Sequence, residues 1–288
     1  MTGGAEASYA INKNLARAAQ AANIAVGTGS MRILLEQPAS FGDFHLRPIA
    51  PDVPIFSNLG AQQLLAEKRR DGFKTLCELN KKLEVDAIAV HLNPGQELYQ
   101  PNGERDFRGL KNVVADFIEQ ANLPVIIKET GFGIAPDEVD FLLQAGAAYV
   151  DVAGAGGTNW LLVEAQQPVA NPLDDGESFR DWGWPTALLL AAVGHANGRI
   201  LASGGVRTGL DVAKALALGA HSVGMALPLL RAVNTGGTDA VLTLLASIEQ
   251  TLKTAMLLSG CVNAAALRNA PLDASANFEY RLNQVRLV

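Results

Sequence analysis

The sequence has little cysteine and no extended run of basic residues. The first shortage argues against a cysteine metal site, and the second argues against a nucleic-acid partner. Its 288 residues include two cysteines, Cys77 and Cys261, which lie far apart and lack the spacing of metal ligands. Such cysteines are typical of reduced core residues in a cytoplasmic protein, which is the location we expect. Basic residues cluster only at Lys68-Arg69-Arg70, and the formal net charge is −6. A nucleic-acid partner would usually need a basic face, so we expect none.

Long charge-free apolar runs and a leader peptide are also missing. No stretch of 18 apolar residues is free of charge, so we expect no membrane span and no membrane partner. The start, Met-Thr-Gly-Gly-Ala-Glu, has neither the basic nor the apolar region of a signal peptide. Hydrophobic residues make up 49% of the chain, enough for one large α/β domain over residues 1–288. Within it we expect a core over about residues 1–230 and a polar peripheral tail over about 269–288.

Seven short apolar runs alternate with longer helical patterns. Continuous apolar runs are typical of parallel strands covered on both faces, which need helical crossovers. The runs are Asn23–Val26, Pro54–Ser57, Asp86–His91, Pro124–Lys128, Tyr149–Ala153, Arg199–Ala202 and Ser222–Met225. The alternation predicts a parallel α/β fold, either an eight-stranded barrel or a doubly wound sheet. Polar and glycine-rich residues follow nearly every run, which favours the barrel, because barrel active sites are built from these loops.

Two strand ends carry side chains suited to chemistry. His91–Glu97 gathers a His, an Asn, a Gln and a Glu within seven residues, whereas a lone loop glutamate is usually solvated surface. Glu97 is an oxygen ligand suited to Mg²⁺. Lys128 ends another strand, where it either pairs with Glu129 or a neighbour, or stabilises an electron-rich reduced flavin ring.

Glycine-rich loops after the late strands predict a phosphate-bearing cofactor. They are Gly154–Thr158, Ser203–Arg207 and Gly224–Pro228, and the late loops of barrels commonly form phosphate sites. The segment Thr208-Gly209-Leu210-Asp211 predicts a capped helix start with Leu210 on the buried face. Arg32 could hold a diphosphate by bidentate hydrogen bonds or could be an ordinary surface arginine.

Other conspicuous residues are expected to be structural. His45, His195 and His221 lack neighbours of the kind that surround His91, so we predict no chemistry there. Trp182 and Trp184 are more typical of packing at a helix start. The sequence contains no nucleophile elbow, no HExxH pattern and no convincing GxGxxG nucleotide motif.

Taken together, the motifs resemble the type 2 isopentenyl-diphosphate isomerases. The resemblance runs in order from residue 1 to about residue 230, and His-Leu-Asn-x-x-Gln-Glu is its most specific part. The matching segments are Met1-Thr2-Gly3-Gly4, Gly29-Ser30-x-Arg32, Ser57–Ala61, His91–Glu97, Lys128-Glu129, Gly156–Thr158, Trp182-Gly183-x-Pro185-Thr186 and Ser203–Asp211.

The resemblance implies a TIM (β/α)₈ barrel that binds FMN, uses its reduced form, takes NADPH as reductant and needs Mg²⁺. It implies interconversion of isopentenyl and dimethylallyl diphosphate by a homo-oligomer, a tetramer or an octamer. It assigns Gln96 and His91 to catalysis and Glu97 to the metal. Substrate contacts fall to Ser30, Met31, Arg32 and Gln96. The implied FMN contacts are Met1, Thr2, Gly3, Ser30, Asn58, Lys128, Thr158, Gly205, Val206, Arg207, Ala226 and Leu227.

Several positions depart from the family pattern. Met31 stands where the family usually has Gln, Asn102-Gly103-Glu104 replaces Glu-Gly-Asp, and Gln167 lies where an Arg often occurs. In the family the Met-Thr-Gly-Gly motif ends the first strand and follows a segment with an Arg-Lys pair. We therefore expect strand one to be missing here. Either the true start lies upstream, the sequence is a fragment, or another segment or subunit fills the gap.

Two other functions remain open. The first is another FMN barrel oxidoreductase, such as an α-hydroxy-acid oxidase. Such an enzyme needs a base, typically a histidine after a late strand, and Ala153–Trp160 contains none. The second is a truncated flavin-binding barrel without turnover, which the absent Arg-Lys pair favours.

Overall fold

The strands of the protein match the seven predicted runs. The computed structural model describes residues 6–167, 175–194 and 198–286. Its strands are β1 (Val26–Gly27), β2 (Ile55–Gly60), β3 (Ala87–Leu92), β4 (Val125–Glu129), β5 (Tyr149–Asp151), β6 (Ile200–Ala202) and β7 (Ser222–Val223). Each run overlaps one strand, although the first begins too early. Asn23 adopts a left-handed conformation (φ 53°) after the first helix, which excludes it from β1.

The order of the strands decides between the two predicted topologies. Neighbouring strands follow chain order from β1 to β7 in one sheet. Phe56 pairs with Ala87 and Val150 pairs with Ile200 in parallel register. A doubly wound sheet reverses its strand order at a switch point, and this sheet has no reversal. The topology is therefore that of a TIM barrel, with seven of the strands supplied by the described residues.

Helices connect and follow the strands. They are α1 (Glu6–Ala22), α2 (Arg32–Glu36), α3 (Phe41–Phe44), α4 (Ala61–Asp71), α5 (Lys74–Leu83), α6 (Pro94–Tyr99), α7 (Leu110–Gln120), α8 (Pro136–Gln144), α9 (Trp160–Ala165), α10 (Thr186–Val193), α11 (Gly209–Ala217), α12 (Leu227–Leu258), α13 (Ala264–Leu267) and α14 (Ala276–Val285). The amides that begin a helix lack partners within it, so local side chains cap several of these starts.

The start of α11 shows how much of the local structure is encoded nearby. Thr208 and Asp211 form the predicted capping box, each accepting a hydrogen bond from the backbone of the other. The prediction that Leu210 is buried was wrong, because its side chain is 47% exposed. The buried face instead runs through Gly209, Ala213 and Leu216, at helical spacing, and Leu210 lies one residue off that stripe.

The chain forms two compact units. Unit one contains Met1–His91, Arg108–Ile126 and Ala226–Ser247, and unit two contains Leu92–Phe107, Ile127–Met225 and Ile248–Val288. The prediction of a single domain over the whole chain stays a prediction.

Each unit has its own apolar core. In unit one, Ala16 and Ala19 of α1 join a buried cluster with Leu46 and Ile55, and Ala18 packs with Val233 and Val241 of α12. In unit two, one cluster contains Tyr99, Leu161 and Leu162, and another contains Ala213, Leu216 and Leu267. The small alanines of α1 and α11 permit close approach of neighbouring elements.

Helix α12 is the longest element and has a break within it. By length and composition alone it is apolar enough to cross a membrane, which for one helix is weak evidence. Gly236 and Gly237 have non-helical backbone angles, so two helical stretches join at a kink. The expected absence of a membrane span stays a prediction.

Candidate active site

The segment after β3 folds as a short helix, α6. Pro94 occupies the first turn of α6, where its missing N–H costs nothing. The helix turns Gln96 and Glu97 inward, and these side chains are only 3% and 4% exposed. Asn93, just before the helix, is equally buried. Three polar side chains, Asn93, Gln96 and Glu97, are therefore buried beside one another after one strand.

The amide of Gln96 is held in one orientation from both ends. Its Oε1 accepts a hydrogen bond from Asn93 Nδ2 at 3.1 Å, and its Nε2 donates to Glu164 Oε1 at 2.7 Å. An ionised carboxylate only accepts hydrogen bonds, so Glu164 fixes which end of the amide faces it. Among the described residues no further bond is made by the second N–H or the second oxygen lone pair of Gln96, so both remain for a ligand.

Glu164 is a site residue that sequence reasoning missed. It lies in α9, and its Oε1 also accepts from Gln100 Nε2 at 2.9 Å. Helix α9 begins at Asn159, whose side chain accepts a hydrogen bond from Leu162 N. The sequence shows only an acidic residue on a short, otherwise apolar helix. It does not indicate that this residue bonds Gln96 and Gln100, which lie 68 and 64 residues away.

A pocket in unit two opens onto this amide. Its enclosed space is about 10 Å³, room for about one water molecule, and its walls are both polar and apolar. Its lining includes Asn93, Gln96, Thr130, Phe132, Trp160 and Leu161. The lining places polar groups beside apolar surface, as small-molecule sites do on a larger scale.

The predicted metal ligand Glu97 is firmly positioned. Its Oε1 accepts from Asn93 Nδ2 at 3.3 Å, and its Oε2 accepts from the Glu104 amide at 3.0 Å. The neighbouring Asn93 Oδ1 is buried and has no hydrogen-bond partner among the described residues. A carboxylate and an amide oxygen are both ligands of the kind that suits Mg²⁺, which also takes water and substrate oxygens, but the Asn93 amide turns its Nδ2 and not its Oδ1 toward Glu97. Within the ranges 6–167, 175–194 and 198–286, no cluster of three or more His, Cys, Asp or Glu residues suits a metal.

Lys128 and Glu129 do not form the ion pair that was one of two expectations. The Lys128 ammonium donates to the backbone oxygen of Glu129. The Glu129 carboxylate instead accepts three backbone N–H groups, from Gly131 at 2.6 Å, from Phe132, and from Gly133 at 3.1 Å. Glu129 therefore holds the backbone of residues 131–133 in place, and part of this loop lines the pocket. Burial raises the pKa of this carboxyl above its ordinary value, while the three N–H groups act in the opposite direction.

This raised pKa gives a testable dependence of stability on pH. Because the folded-state pKa exceeds that of the unfolded chain, the contribution of Glu129 is fully present below the unfolded pKa and is lost as pH rises through the folded value. Glu129→Gln keeps an oxygen acceptor and cannot titrate. We expect the Tm of Glu129→Gln, relative to the wild type, to rise as pH increases above the ordinary pKa of a glutamate. A difference that does not change with pH would contradict the assignment.

The glycine-rich loops after β5 and β6 pack backbone against backbone. A Cβ on Gly205 would lie 2.6 Å from the carbonyl carbon of Gly156, and one on Gly157 would lie 3.0 Å from the Gly205 amide. Arg207 ties the two loops together, because its guanidinium donates to Gly205 O at 2.9 Å and to Gly156 O at 2.8 Å. The predicted FMN contacts Thr158, Gly205, Val206 and Arg207 belong to these adjacent loops.

The buried carboxylate of Asp151 holds the glycine-rich loop after β6 in place. Asp151, at the end of β5, is 7% exposed and accepts from Ser203 Oγ at 2.7 Å and from the Ala153 amide at 3.1 Å. Ala153 has a left-handed backbone (φ 39°), which is costly for a residue with a Cβ. The carboxylate therefore stabilises a strained turn and positions Ser203 at the same time.

Unit one brings together a further group of predicted residues. The Met31 amide donates to Asn58 O at 2.8 Å, which joins the Ser30–Arg32 segment to the end of β2. Nδ1 of His91 lies 2.8 Å from Asn58 Oδ1, so this nitrogen carries the hydrogen when the imidazole is neutral. The Met31 side chain is fully buried, and Arg32 is exposed.

The remaining predicted residues are placed as follows. Ala226 and Leu227 are exposed at the start of α12. Met1, Thr2 and Gly3 lie outside the described residues. The Trp184 carbonyl accepts from the Ala155 amide just before α10, and Trp182 is 60% exposed, while the predicted packing of the Trp184 ring at a helix start stays a prediction. His195 is also outside the described residues, while His45 bonds Glu84 and His221 contacts the ring of Tyr149.

Comparison with known proteins identifies the family. The family model described as FMN-dependent dehydrogenase matches residues 107–274. A protein of Borrelia garinii subsp. bavariensis named isopentenyl-diphosphate delta-isomerase is 43% identical over 269 residues, which cover 93% of this chain and 74% of that protein. The chain belongs to the isopentenyl-diphosphate delta-isomerase family. A member from Aeropyrum pernix is 42% identical over 277 residues, 94% of this chain and 73% of that protein.

Solved structures that resemble this family member support the fold. A lactate oxidase of Pediococcus acidilactici has a TM-score of 0.64 at 21% identity, covering 92% of this chain and 71% of that chain. A mandelate oxidase variant with an FMN adduct has a TM-score of 0.61 at 20% identity, covering 92% and 74%. At this low sequence identity the structural similarity supports only the fold, which is the predicted TIM barrel.

Proposed function

We propose that this family member interconverts isopentenyl and dimethylallyl diphosphate, with FMN as its cofactor. The observation that carries the proposal is the buried Gln96 amide, oriented by Asn93 and Glu164 at the head of a small pocket. The identity of about 40% to named isomerases over most of the chain supports the same activity.

The reaction moves one proton onto the substrate and another off it, at carbons that no carbonyl acidifies. Reduced flavin, when bound, supplies the acid and base that such carbons require. The residues of the chain then bind and orient. The N–H and lone pair left on Gln96 are aimed by fixed partners, so no side-chain reorganisation is needed when the substrate binds. Phe132, Trp160 and Leu161, which line the small cleft beside Gln96, would offer apolar surface to the hydrocarbon part.

Glu97 would hold Mg²⁺, which would supply positive charge to neutralise a diphosphate. The donor set supports this role, because Mg²⁺ usually takes one or two protein carboxylates together with phosphate oxygens. Arg32, exposed after β1, is a second residue of the chain that would suit a diphosphate, through a bidentate contact. NADPH as the reductant, a cytoplasmic location and a homo-oligomeric state complete the proposal, and each comes from the family resemblance.

An α-hydroxy-acid oxidase is the second candidate, because the similar solved structures include lactate and mandelate oxidases. The pocket argues against it. No histidine lines the pocket in the described part of unit two, which counts against this candidate because such an oxidation needs a base.

Reconstitution tests the proposal directly. The protein is loaded with FMN, reduced anaerobically by NADPH or dithionite, and given labelled isopentenyl diphosphate with Mg²⁺. We expect dimethylallyl diphosphate to form, and to fail to form with oxidised flavin or with excess EDTA. Absence of bound flavin would overturn the proposal. Bound flavin without isomerisation would favour the barrel without turnover, and peroxide formation from a 2-hydroxy acid would favour the oxidase.

A further inference from the structure

The hydroxyl of Thr186 contacts the glycine-rich loop after β6. Thr186 is the first residue of α10 and is 8% exposed. Its Oγ1 lies 2.9 Å from the carbonyl oxygen of Ser203 and 2.7 Å from that of Gly204. One hydroxyl hydrogen is therefore shared between two consecutive carbonyl groups of the loop.

This contact fixes the direction of two backbone amides. In a trans peptide the C=O and N–H groups point in opposite directions, and the chain has no cis peptide bonds among its described residues. Drawing the Ser203 and Gly204 carbonyls toward Thr186 turns the N–H groups of Gly204 and Gly205 away from it. Both glycines have left-handed φ values, 94° and 88°, which permit this arrangement.

The two amides are available to a ligand. Neither Gly204 N nor Gly205 N donates a hydrogen bond to any residue that the structure describes. The amides just beyond them are already occupied, because Asp211 Oδ2 accepts from Arg207 N at 3.1 Å and from Thr208 N at 2.9 Å. An anion at this loop would consequently be bound by the Gly204 and Gly205 amides rather than by the start of α11. The Arg207 guanidinium, bonded to Gly205 O, adds positive charge beside them.

We propose that Thr186 is a positioning residue that aims the Gly204 and Gly205 amides at the phosphate group of the flavin cofactor. The inference rests on the proposed function, since it takes FMN as the ligand. Thr186 acts only through the loop and need not touch the cofactor. Asp151 complements it by holding the Ser203 side chain, so the loop is restrained through both its carbonyls and its hydroxyl.

Comparing the affinity for FMN with the affinity for riboflavin measures the contribution of the phosphate group to binding. The two ligands share the ring system and differ by that group, so the ratio of their Kd values reports the phosphate contact alone. Thr186→Val removes the hydroxyl at nearly constant volume, and Thr186→Ser keeps it. Thr243→Val is a matched control, because Thr243 Oγ1 also donates to a backbone carbonyl, Asp239 O at 2.9 Å, but within α12.

We expect Thr186→Val to weaken FMN binding by about 10- to 100-fold and to leave riboflavin binding nearly unchanged. Thr186→Ser and Thr243→Val should keep the wild-type ratio. Equal loss of both ligands in Thr186→Val, an unchanged ratio in that variant, or a Thr186→Ser ratio as low as that of Thr186→Val would each overturn the inference. A wild-type protein that binds neither ligand would instead overturn the proposed function.

A second measurement on the wild type keeps the inference testable if Thr186→Val does not fold. Amide hydrogen exchange of the peptide that contains residues 203–207 should slow when FMN binds and should slow much less with riboflavin. Equal protection by the two ligands would overturn the inference, because the loop amides would then not contact the phosphate.

Discussion

Replacing Gln96 by alanine should lower kcat for isomerisation by about 100- to 1,000-fold, the usual cost of losing one oriented hydrogen-bonding group at a reacting centre. FMN binding should change little, because Gln96 lies in the pocket and not in the glycine-rich loops. The comparison uses reduced, FMN-loaded protein and measures kcat and Kd separately. A Gln96→Ala variant with wild-type kcat would remove this residue from the site.

Glu164 provides a second test of the role of Gln96, because we expect it to act only by orienting the Gln96 amide. Glu164→Ala should lower kcat by about 10- to 100-fold, since a misaimed group loses much of its effect. In the double variant, Glu164→Ala should add nothing to the loss caused by Gln96→Ala, as expected for two residues acting as one unit. Gln100→Ala is the control, because Gln100 shares the same carboxylate oxygen without lining the pocket. Losses that multiply in the double variant would contradict the shared role.

Replacing Gly204 by alanine should destabilise the protein by about 3–5 kcal/mol, through strain and steric overlap together. The added Cβ would lie 2.1 Å from the Gly154 carbonyl oxygen and 2.8 Å from Thr186 Oγ1, and the residue has a φ of 94°. Both neighbours are fixed, so the loop itself must move. FMN binding should be lost with it. Urea unfolding and flavin titration measure the two effects.

A substitution at a second glycine distinguishes the cost of steric overlap from the cost of backbone strain. Gly72 ends α4 with a φ of 64°, and nothing lies within 4 Å of the position that its Cβ would take. Gly72→Ala therefore introduces backbone strain alone, at about 1–2 kcal/mol. If both variants cost the same, the close packing of the Gly154 and Gly204 loops is not what requires glycine at position 204.

The parts of the site that lie close together in sequence could be predicted from it. His91–Glu97 follows one strand, so its clustering needs only the end of that strand and a helical turn. The capping box of Thr208 and Asp211 is encoded within four residues. The seven strands were predictable because each is a continuous apolar run, although their ends shifted by a few residues.

The parts that depend on distant residues could not be predicted. Nothing near Glu164 indicates that its carboxylate meets Gln96, and nothing near Lys128 indicates that Glu129 would turn toward backbone amides instead. Leu210 was assigned to the buried stripe because it is apolar, but the stripe follows the helix surface that packing selects. In each case the partner comes from tertiary structure, which a local pattern does not contain.

The support beneath Gly204 and Gly205 also means that this loop is not a portable module. Its shape comes from Asp151 and Thr186, which lie 52 and 17 residues from Ser203 along the chain. A graft of residues 203–207 into another barrel would carry the glycines and the arginine but leave behind the groups that aim the amides. A successful transplant would have to move the ends of two further segments with it.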